Sequence, residues 1–118
     1  MKKKENPIKT RKVDYNGNNS GFHPVDTKVL VLPDEIEDTS EGGIVLTSST
    51  VDQHELSVTE GYLVEWGSEA FADWRGGKDI AKGARVVWAV YAGQMIHGDD
   101  GNRYRLINDT DLAAIRRD

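Results

Sequence analysis

Three short apolar runs, each rich in β-branched or aromatic residues, constrain the fold of this chain most strongly. They are Lys28–Leu32, Gly61–Gly67 and Arg85–Tyr91. Runs of this length and composition, closed by glycine or proline, are typical of strands rather than helices. In the third run Val86, Trp88 and Val90 alternate with a second apolar set, so both faces of that strand need cover. We therefore predict an all-β fold, a small barrel or sandwich.

The length of 118 residues fits one domain. No apolar run approaches the roughly 20 residues that span a bilayer, and the lysines after Met1 are not followed by the apolar core of a secretory signal. These features exclude a membrane-spanning protein and favour a cytoplasmic location. The chain has no cysteine and three histidines, which excludes disulfides and argues against a zinc site.

Charge divides the chain into a basic head and an acidic body. Residues 1–20 carry six Lys or Arg and two acids, which gives them a net charge of +4. Because the whole chain has a net charge of −5, residues 21–118 have a net charge of −9. The head holds turn and breaker residues and almost nothing apolar, which predicts a flexible N-terminal extension over residues 1–20 before a domain at 21–118. Such an extension could seek anions on nucleic acid or an acidic partner, or could be a solvated tail.

Catalytic patterns are weak. His23, His54 and His97 have no nucleophile motif beside them, and the acidic pairs at residues 34–35, 37–38 and 99–100 resemble solvated loops. Neither of the two glycine pairs belongs to a phosphate-binding signature. We therefore expect no enzymatic activity, no metal and no cofactor.

Small β-barrels often bind single-stranded nucleic acid through exposed aromatic residues. The aromatic residues that could stack on bases are Tyr62, Trp66, Trp88 and Tyr104. A body with net charge −9 would repel a polyanion, so packing of these rings in a core or an interface is favoured. A nucleic-acid-binding or virion assembly barrel that uses the basic head is the alternative function.

Ile44, Val45 and Leu46 form an apolar triplet inside a polar stretch that begins at Asp34. They could be a core strand. They could instead be a peptide-like hook on a flexible loop, which becomes ordered only in the groove of a partner, with Gly42 and Gly43 supplying the bend. The residues themselves leave these two interpretations open.

Several segments in order resemble the GroES-type co-chaperonins, the 10 kDa chaperonin family. Glu41–Leu46 is similar to the mobile-loop motif of that family and is the most specific match. The other similar segments are His23–Val31, Gly61–Gly67, Lys82–Trp88, Tyr91–Gly93 and Asp109–Ile115. The similarity runs from about Gly21 to Ile115.

The resemblance implies a small GroES-like β-barrel with a mobile loop at about residues 38–59 and a roof hairpin at about 68–79. It implies a heptameric dome that caps a GroEL-type chaperonin ring in an ATP-dependent cycle and encloses an unfolded substrate protein, with the nucleotide bound by the partner. The residues expected to bind the chaperonin are Gly42, Gly43, Ile44, Val45 and Leu46. Those expected at the subunit interface are Val29, Leu30, Val31, Leu112, Ala113, Ala114 and Ile115.

The final segment has two interpretations. Cap-forming residues at 108–111 and the basic Arg116 and Arg117 favour one or two helical turns over Leu112–Ile115. The resemblance implies a strand that pairs with a neighbouring subunit, and we expect the strand.

Some features depart from the family pattern. Residues 1–20 have no counterpart in it, and residues 47–60 form a longer stretch than usual. Phe71 and Trp74 fall in the expected roof hairpin, where they could line an inner ceiling. These departures suggest a specialised member, and we hypothesise that a bacteriophage encodes it.

Overall fold

The computed structural model describes residues 10–36, 57–72 and 80–116. Within these ranges the chain forms strands and one 3-10 turn at Asp109–Asp111, with no α-helix, which confirms the predicted all-β class. The strands are β1 (Thr10–Arg11), β2 (Lys28–Pro33), β3 (Glu35–Ile36), β4 (Glu60–Trp66), β5 (Arg85–Trp88), β6 (Gln94–His97), β7 (Arg103–Asn108) and β8 (Leu112–Ile115). None of the described residues belongs to a helix that could cross a membrane.

Six of the strands form one antiparallel sheet in the order β6-β7-β2-β4-β5-β8. The remaining two, β1 and β3, pair with each other. The central position of β2 follows from its sequence, since a run of consecutive large aliphatic residues can bury both faces of a strand. Four of its six residues are buried.

The sheet is curled rather than flat. Arg105 on β7 and Trp88 on β5 belong to strands three positions apart, which would be about 14 Å in a flat sheet. The guanidinium carbon of Arg105 nevertheless lies 6.0 Å from the centre of the Trp88 ring. Ile107 on β7 and Leu112 on β8 also belong to one buried cluster. The curled sheet agrees with the small barrel expected from the sequence.

Two apolar clusters cover the sheet. The inner cluster contains residues from β2, β4, β5, β7 and β8, and the outer one contains Leu30, Leu32, Val64 and Tyr104. Successive residues of β2 alternate between the two clusters because side chains alternate across a strand. Both faces of β2 therefore lie in a core.

The third predicted strand is shorter than its apolar run. It ends at Trp88, and Val90 and Tyr91 are exposed, so the prediction that Val90 shares the buried face of Val86 and Trp88 is wrong. The chain turns here instead, with the Ala92 N–H bonded to the Ala89 carbonyl at 3.1 Å. Alternation cannot foresee this because the turn contains no breaker residue before Gly93.

The last described segment contains both a helical turn, which its cap residues favour, and the strand that the resemblance implies. Asn108 donates its backbone N–H to the Asp111 carboxylate at 2.9 Å, and Asp109–Asp111 form the 3-10 turn. The next four residues, Leu112–Ile115, then form β8 against β5, which confirms the strand. A strand prevails over a helix because pairing with β5 buries Leu112 in the inner cluster.

The described part of the N-terminal extension, residues 10–20, differs from the sequence expectation of a flexible tail. Residues 10–20 pack on the barrel, with Val13 and Tyr15 against the outer cluster and Ser20 fully buried. Residues 1–9 lie outside the described part of the chain. Most of the expected mobile loop also lies outside it, as do residues 73–79 of the expected roof hairpin.

Candidate functional site

The predicted hook, Gly42 to Leu46, lies outside the described residues. The structure does describe the two stems from which that segment leaves the barrel. The first stem is residues 33–36 and the second is residues 57–60. We call these two stems, with Arg85 and Arg116, the loop base.

The two stems leave the barrel side by side. Pro33 at the end of β2 pairs with Gly61 at the start of β4, and the Asp34 N–H donates to the Glu60 carbonyl at 3.0 Å. Gly61 permits this close approach, because a Cβ there would lie 2.2 Å from the Leu32 carbonyl oxygen. Gly61 was predicted only as a boundary of the second strand.

A largely buried cation, Arg85, joins the two stems. The Arg85 guanidinium donates to both carboxylate oxygens of Asp34, at 2.8 and 2.7 Å, and also to Glu60 at 3.2 Å. The side chains of Arg85 and Asp34 are only 12% and 8% exposed. The hydrogen bond to Asp34 is the largest cause that raises the pKa of Arg85, and it acts against burial, which lowers that pKa. A two-pronged, largely buried pair of this kind is specific in geometry.

Arg116 adds a second cation at the same place. Its guanidinium lies 3.3 Å from the Glu60 carboxylate, although its own side chain is mostly exposed. Glu60 therefore binds arginines from β5 and from the residue after β8. These contacts fasten the second stem to the edge of the sheet.

The second stem is also held through its backbone. The Val58 carbonyl accepts hydrogen bonds from the Trp88 indole N–H and from the Arg105 guanidinium, each at 3.1 Å. The Trp88 N–H donates to the Thr59 carbonyl at 2.9 Å. Burial lowers the pKa of Arg105, whose Nε–H donates to the Ala92 carbonyl at 2.9 Å. Both stems are thus attached to the barrel core.

Sequence reasoning missed most of the loop base. The prediction that Asp34 is a solvated loop acid is wrong, because Arg85 of β5 pairs with it and removes it from solvent. Arg85 is the first residue of the third apolar run, and Arg105 lies inside β7. An arginine with apolar neighbours in a strand is the sequence signal that could have identified both residues as buried cations with partners.

The predicted interface residues fall into two groups. Val29, Leu30 and Val31 are fully buried within one protomer, with strands paired on both edges, so their side chains face the protomer's own core. In β8, Leu112 is buried and Ile115 is partly buried against the inner cluster, whereas Ala113 and Ala114 are exposed. A contact between subunits at β8 stays a prediction.

The aromatic residues are mostly core residues. Trp88 and Tyr104 are buried, and Tyr62 carries a stacked Tyr15 at 5.4 Å, which favours the packing interpretation over base stacking. Phe71 is also buried, edge-on to Trp66 at 5.8 Å, so it does not line an exposed ceiling. Trp74 lies outside the described residues.

The histidines in the described ranges are surface residues. The His23 imidazole lies 3.0 Å from the Glu65 carboxylate, and its side chain is mostly exposed. His97 is exposed at the end of β6, and His54 lies outside the described residues. In the described part of the chain, no cluster of three potential metal ligands occurs.

Comparison with known proteins identifies the family. Residues 21–116 match the model of the chaperonin 10 Kd subunit family. The chain belongs to the GroES-type co-chaperonin family. A co-chaperonin GroES 1 of Rhodopirellula baltica is 30% identical over 97 residues, which cover 79% of this chain and 89% of that protein.

Two further relatives agree. The co-chaperonin GroES 2 of the same organism is 31% identical over 98 residues, 80% of this chain and 98% of that protein. The co-chaperonin GroES of Staphylococcus aureus is 30% identical over 94 residues, 78% of this chain and 95% of that protein. The GroES-type match begins at Gly21, so residues 10–20 are a packed element outside it.

Proposed function

We propose that this chain is a co-chaperonin that caps a GroEL-type chaperonin ring and encloses a substrate protein for folding in an ATP-dependent cycle. Membership of the GroES-type family supports this function. The observation that carries it is the loop base, in which Arg85 joins the two stems of the segment with the Gly-Gly-Ile-Val-Leu motif. In this proposal the nucleotide belongs to the partner and the chain acts in the cytoplasm, that of the host if a bacteriophage encodes it.

In this proposal Gly42 and Gly43 supply a bend, and Ile44, Val45 and Leu46 dock in an apolar groove of the chaperonin. Ordering such a segment on binding costs about 2–5 kcal/mol, so a single hook would bind weakly. Because Arg85 binds both Asp34 and Glu60, the stems are already ordered, and only the residues between them lose conformational freedom on binding. Weak individual contacts suit a cap that must be released in every cycle.

We also propose that the chain assembles as a heptameric ring, which restores affinity by presenting several hooks at once. The edge strand β8 supports this proposal, since among the described residues it pairs on one side only, with β5. Its exposed Ala113 and Ala114 leave the free edge open to a strand of another copy.

Native mass spectrometry tests the function directly. The purified protein is measured alone and with a bacterial GroEL-type chaperonin, without nucleotide, with ADP and with a non-hydrolysable ATP analogue. We expect a closed ring that joins the chaperonin only when nucleotide is present. A ring that ignores the chaperonin under all three conditions would overturn the proposed function.

A further inference from the structure

Residues 10–20 form a packed element that lies outside the family match of residues 21–116. We call this element the strap. At its N-terminal end β1 pairs with β3, with Thr10 opposite Ile36 and Arg11 opposite Glu35. Within the described residues, β1 is the only strand that pairs with β3. The strap thus supplies the strand partner of the first stem.

The middle of the strap is anchored by an aromatic stack. The Tyr15 ring lies 5.4 Å from that of Tyr62 on β4, with the two planes 28° apart. Val13 and Tyr15 both pack against the outer cluster. Gly83 leaves room for the ring, since a Cβ at that glycine would lie 3.1 Å from the Tyr15 side chain. This anchor depends on apolar contact and does not require the exposed charges of the strap.

The C-terminal end of the strap is held by hydrogen bonds around the buried Ser20. The Ser20 hydroxyl donates to the Asn18 side-chain oxygen at 2.7 Å, and the Ser20 carbonyl accepts the Asp99 N–H at 2.9 Å. Asn18 also donates to the Phe22 carbonyl at 2.8 Å. The strap is therefore attached to the turn between β6 and β7 at one end and to the first stem at the other.

We propose that the strap restrains the first stem of the loop, so that the segment carrying the hook begins from a fixed point on the barrel. Pairing with β1 orders Glu35 and Ile36 before any partner binds. Residues ordered in advance need not lose that conformational freedom on binding, so the strap raises the affinity of each hook. The effect on affinity rests on the proposed function, whereas the restraint of the stem does not.

The pairing of β1 with β3 can be broken without disturbing the core, because Thr10 and Arg11 are both exposed. Thr10→Pro/Arg11→Pro removes both backbone N–H groups of β1, including the one that faces β3 in the antiparallel ladder. Thr10→Ala/Arg11→Lys is the matched control, since it changes the same two positions but keeps both N–H groups and the positive charge. Tyr15→Ala is a second variant, which removes the aromatic anchor and leaves the ladder residues unchanged.

Hydrogen exchange of the free, full-length protein is measured by mass spectrometry. In the double-proline variant we expect whichever of the Glu35 and Ile36 amides faces β1 to exchange about tenfold faster or more, while those of β2 are unchanged. The control should behave as the wild type, and Tyr15→Ala should change exchange in the same direction as the double-proline variant. Unchanged exchange at Glu35 and Ile36 in the double-proline variant would overturn the proposal that the strap restrains the first stem.

Binding of the same variants to a GroEL-type chaperonin with nucleotide tests the consequence. We expect the double-proline variant to bind about tenfold more weakly, or worse, than the wild type and the control. Faster exchange with unchanged binding would overturn the claim about affinity. If the wild type does not bind the chaperonin and exchange still responds to the prolines, the proposed function fails and the restraint stands.

Discussion

Asp34 and Arg85 lie 51 residues apart in the sequence and form a two-pronged, largely buried ion pair at the point where the chain leaves the barrel. Arg85 also binds Glu60, which lies on the returning stem. One guanidinium therefore joins the departing stem, the returning stem and β5. The pair is the structural centre of the loop base.

Asp34→Asn should destabilise the protein. The change removes the negative charge opposite Arg85 and leaves that cation short of its main partner, which costs about 3 kcal/mol or more when a buried pair is broken. Urea unfolding of the wild type and the variant measures the loss. Arg11→Ala is the control, because the Arg11–Glu35 pair is exposed and should contribute at most about 1 kcal/mol. Equal losses for the two variants would contradict the central role of Asp34.

Gly61→Ala should also destabilise the protein, for a steric reason. The added Cβ would meet the Leu32 carbonyl oxygen at 2.2 Å and the Pro33 Cα at 2.7 Å, both of them backbone atoms that cannot rotate away. We expect a loss of about 1–3 kcal/mol in the free energy of unfolding. Ser68→Ala, at an exposed turn position, should change it by less than about 0.5 kcal/mol. A neutral Gly61→Ala would show that the stems are not held so closely.

Tyr104 should make the protein less stable at high pH. Burial raises the pKa of Tyr104, and so does its hydrogen bond to Asp100, at 2.6 Å. Because the pKa in the folded state lies above the unfolded value of about 10, this stabilisation is complete below pH 10 and is lost as the pH rises beyond it. Urea unfolding between pH 9 and 11 should show a decline that Tyr104→Phe reduces. Tyr91→Phe, at an exposed tyrosine, should leave the decline unchanged.

Asp100, the partner of Tyr104, should act at the other end of the pH scale. Burial raises the pKa of Asp100, but hydrogen bonds from Tyr104 and Asn102 lower it more, so the net shift is downward. Its stabilisation is present above the unfolded value of about 4 and is lost as the pH falls below that value. Tyr104→Phe removes one of these hydrogen bonds, so it should weaken the acid dependence measured by urea unfolding between pH 3 and 5. An identical acid profile in wild type and variant would contradict this role.

The proposed function predicts that Ile44→Asp abolishes capping of the chaperonin and leaves the free ring intact. A carboxylate cannot enter an apolar groove without losing its hydration. Native mass spectrometry with chaperonin and nucleotide measures both properties in one experiment. Thr50→Asp, which adds the same charge beyond the predicted hook, should retain capping. If the Ile44→Asp variant still caps the chaperonin, the assignment of the hook to Ile44, Val45 and Leu46 is wrong.

Ala113→Glu should weaken the proposed ring. The alanine is exposed on β8, which among the described residues pairs only with β5, and a charged side chain there opposes pairing with another strand. We expect native mass spectra to shift from rings to smaller species, with an unchanged circular dichroism spectrum. Gln94→Glu adds the same charge to β6, the other edge strand of the sheet, and should keep the ring. Intact rings from Ala113→Glu would move the subunit contact away from β8.

Local patterns predicted the strands because the evidence for a strand lies within its own residues. The apolar runs at Lys28–Leu32 and Gly61–Gly67 are examples, and a strand occurs at each of them. The end of the chain was harder, since its cap residues favour a helix. The cap residues form a single 3-10 turn, and the residues after it form a strand because they pair with β5.

The sequence by itself determined the all-β class, the positions of the main strands and the family to which the motifs belong. Only the tertiary structure decided that Asp34 is buried, that Arg105 bonds to Val58, and that residues 10–20 pack on the barrel. The reason is physical: alternation and turn chemistry act over a few residues, whereas these contacts join groups brought together only when the sheet curls. A charged residue shows in sequence what it can bind, and the fold decides which partner lies within reach.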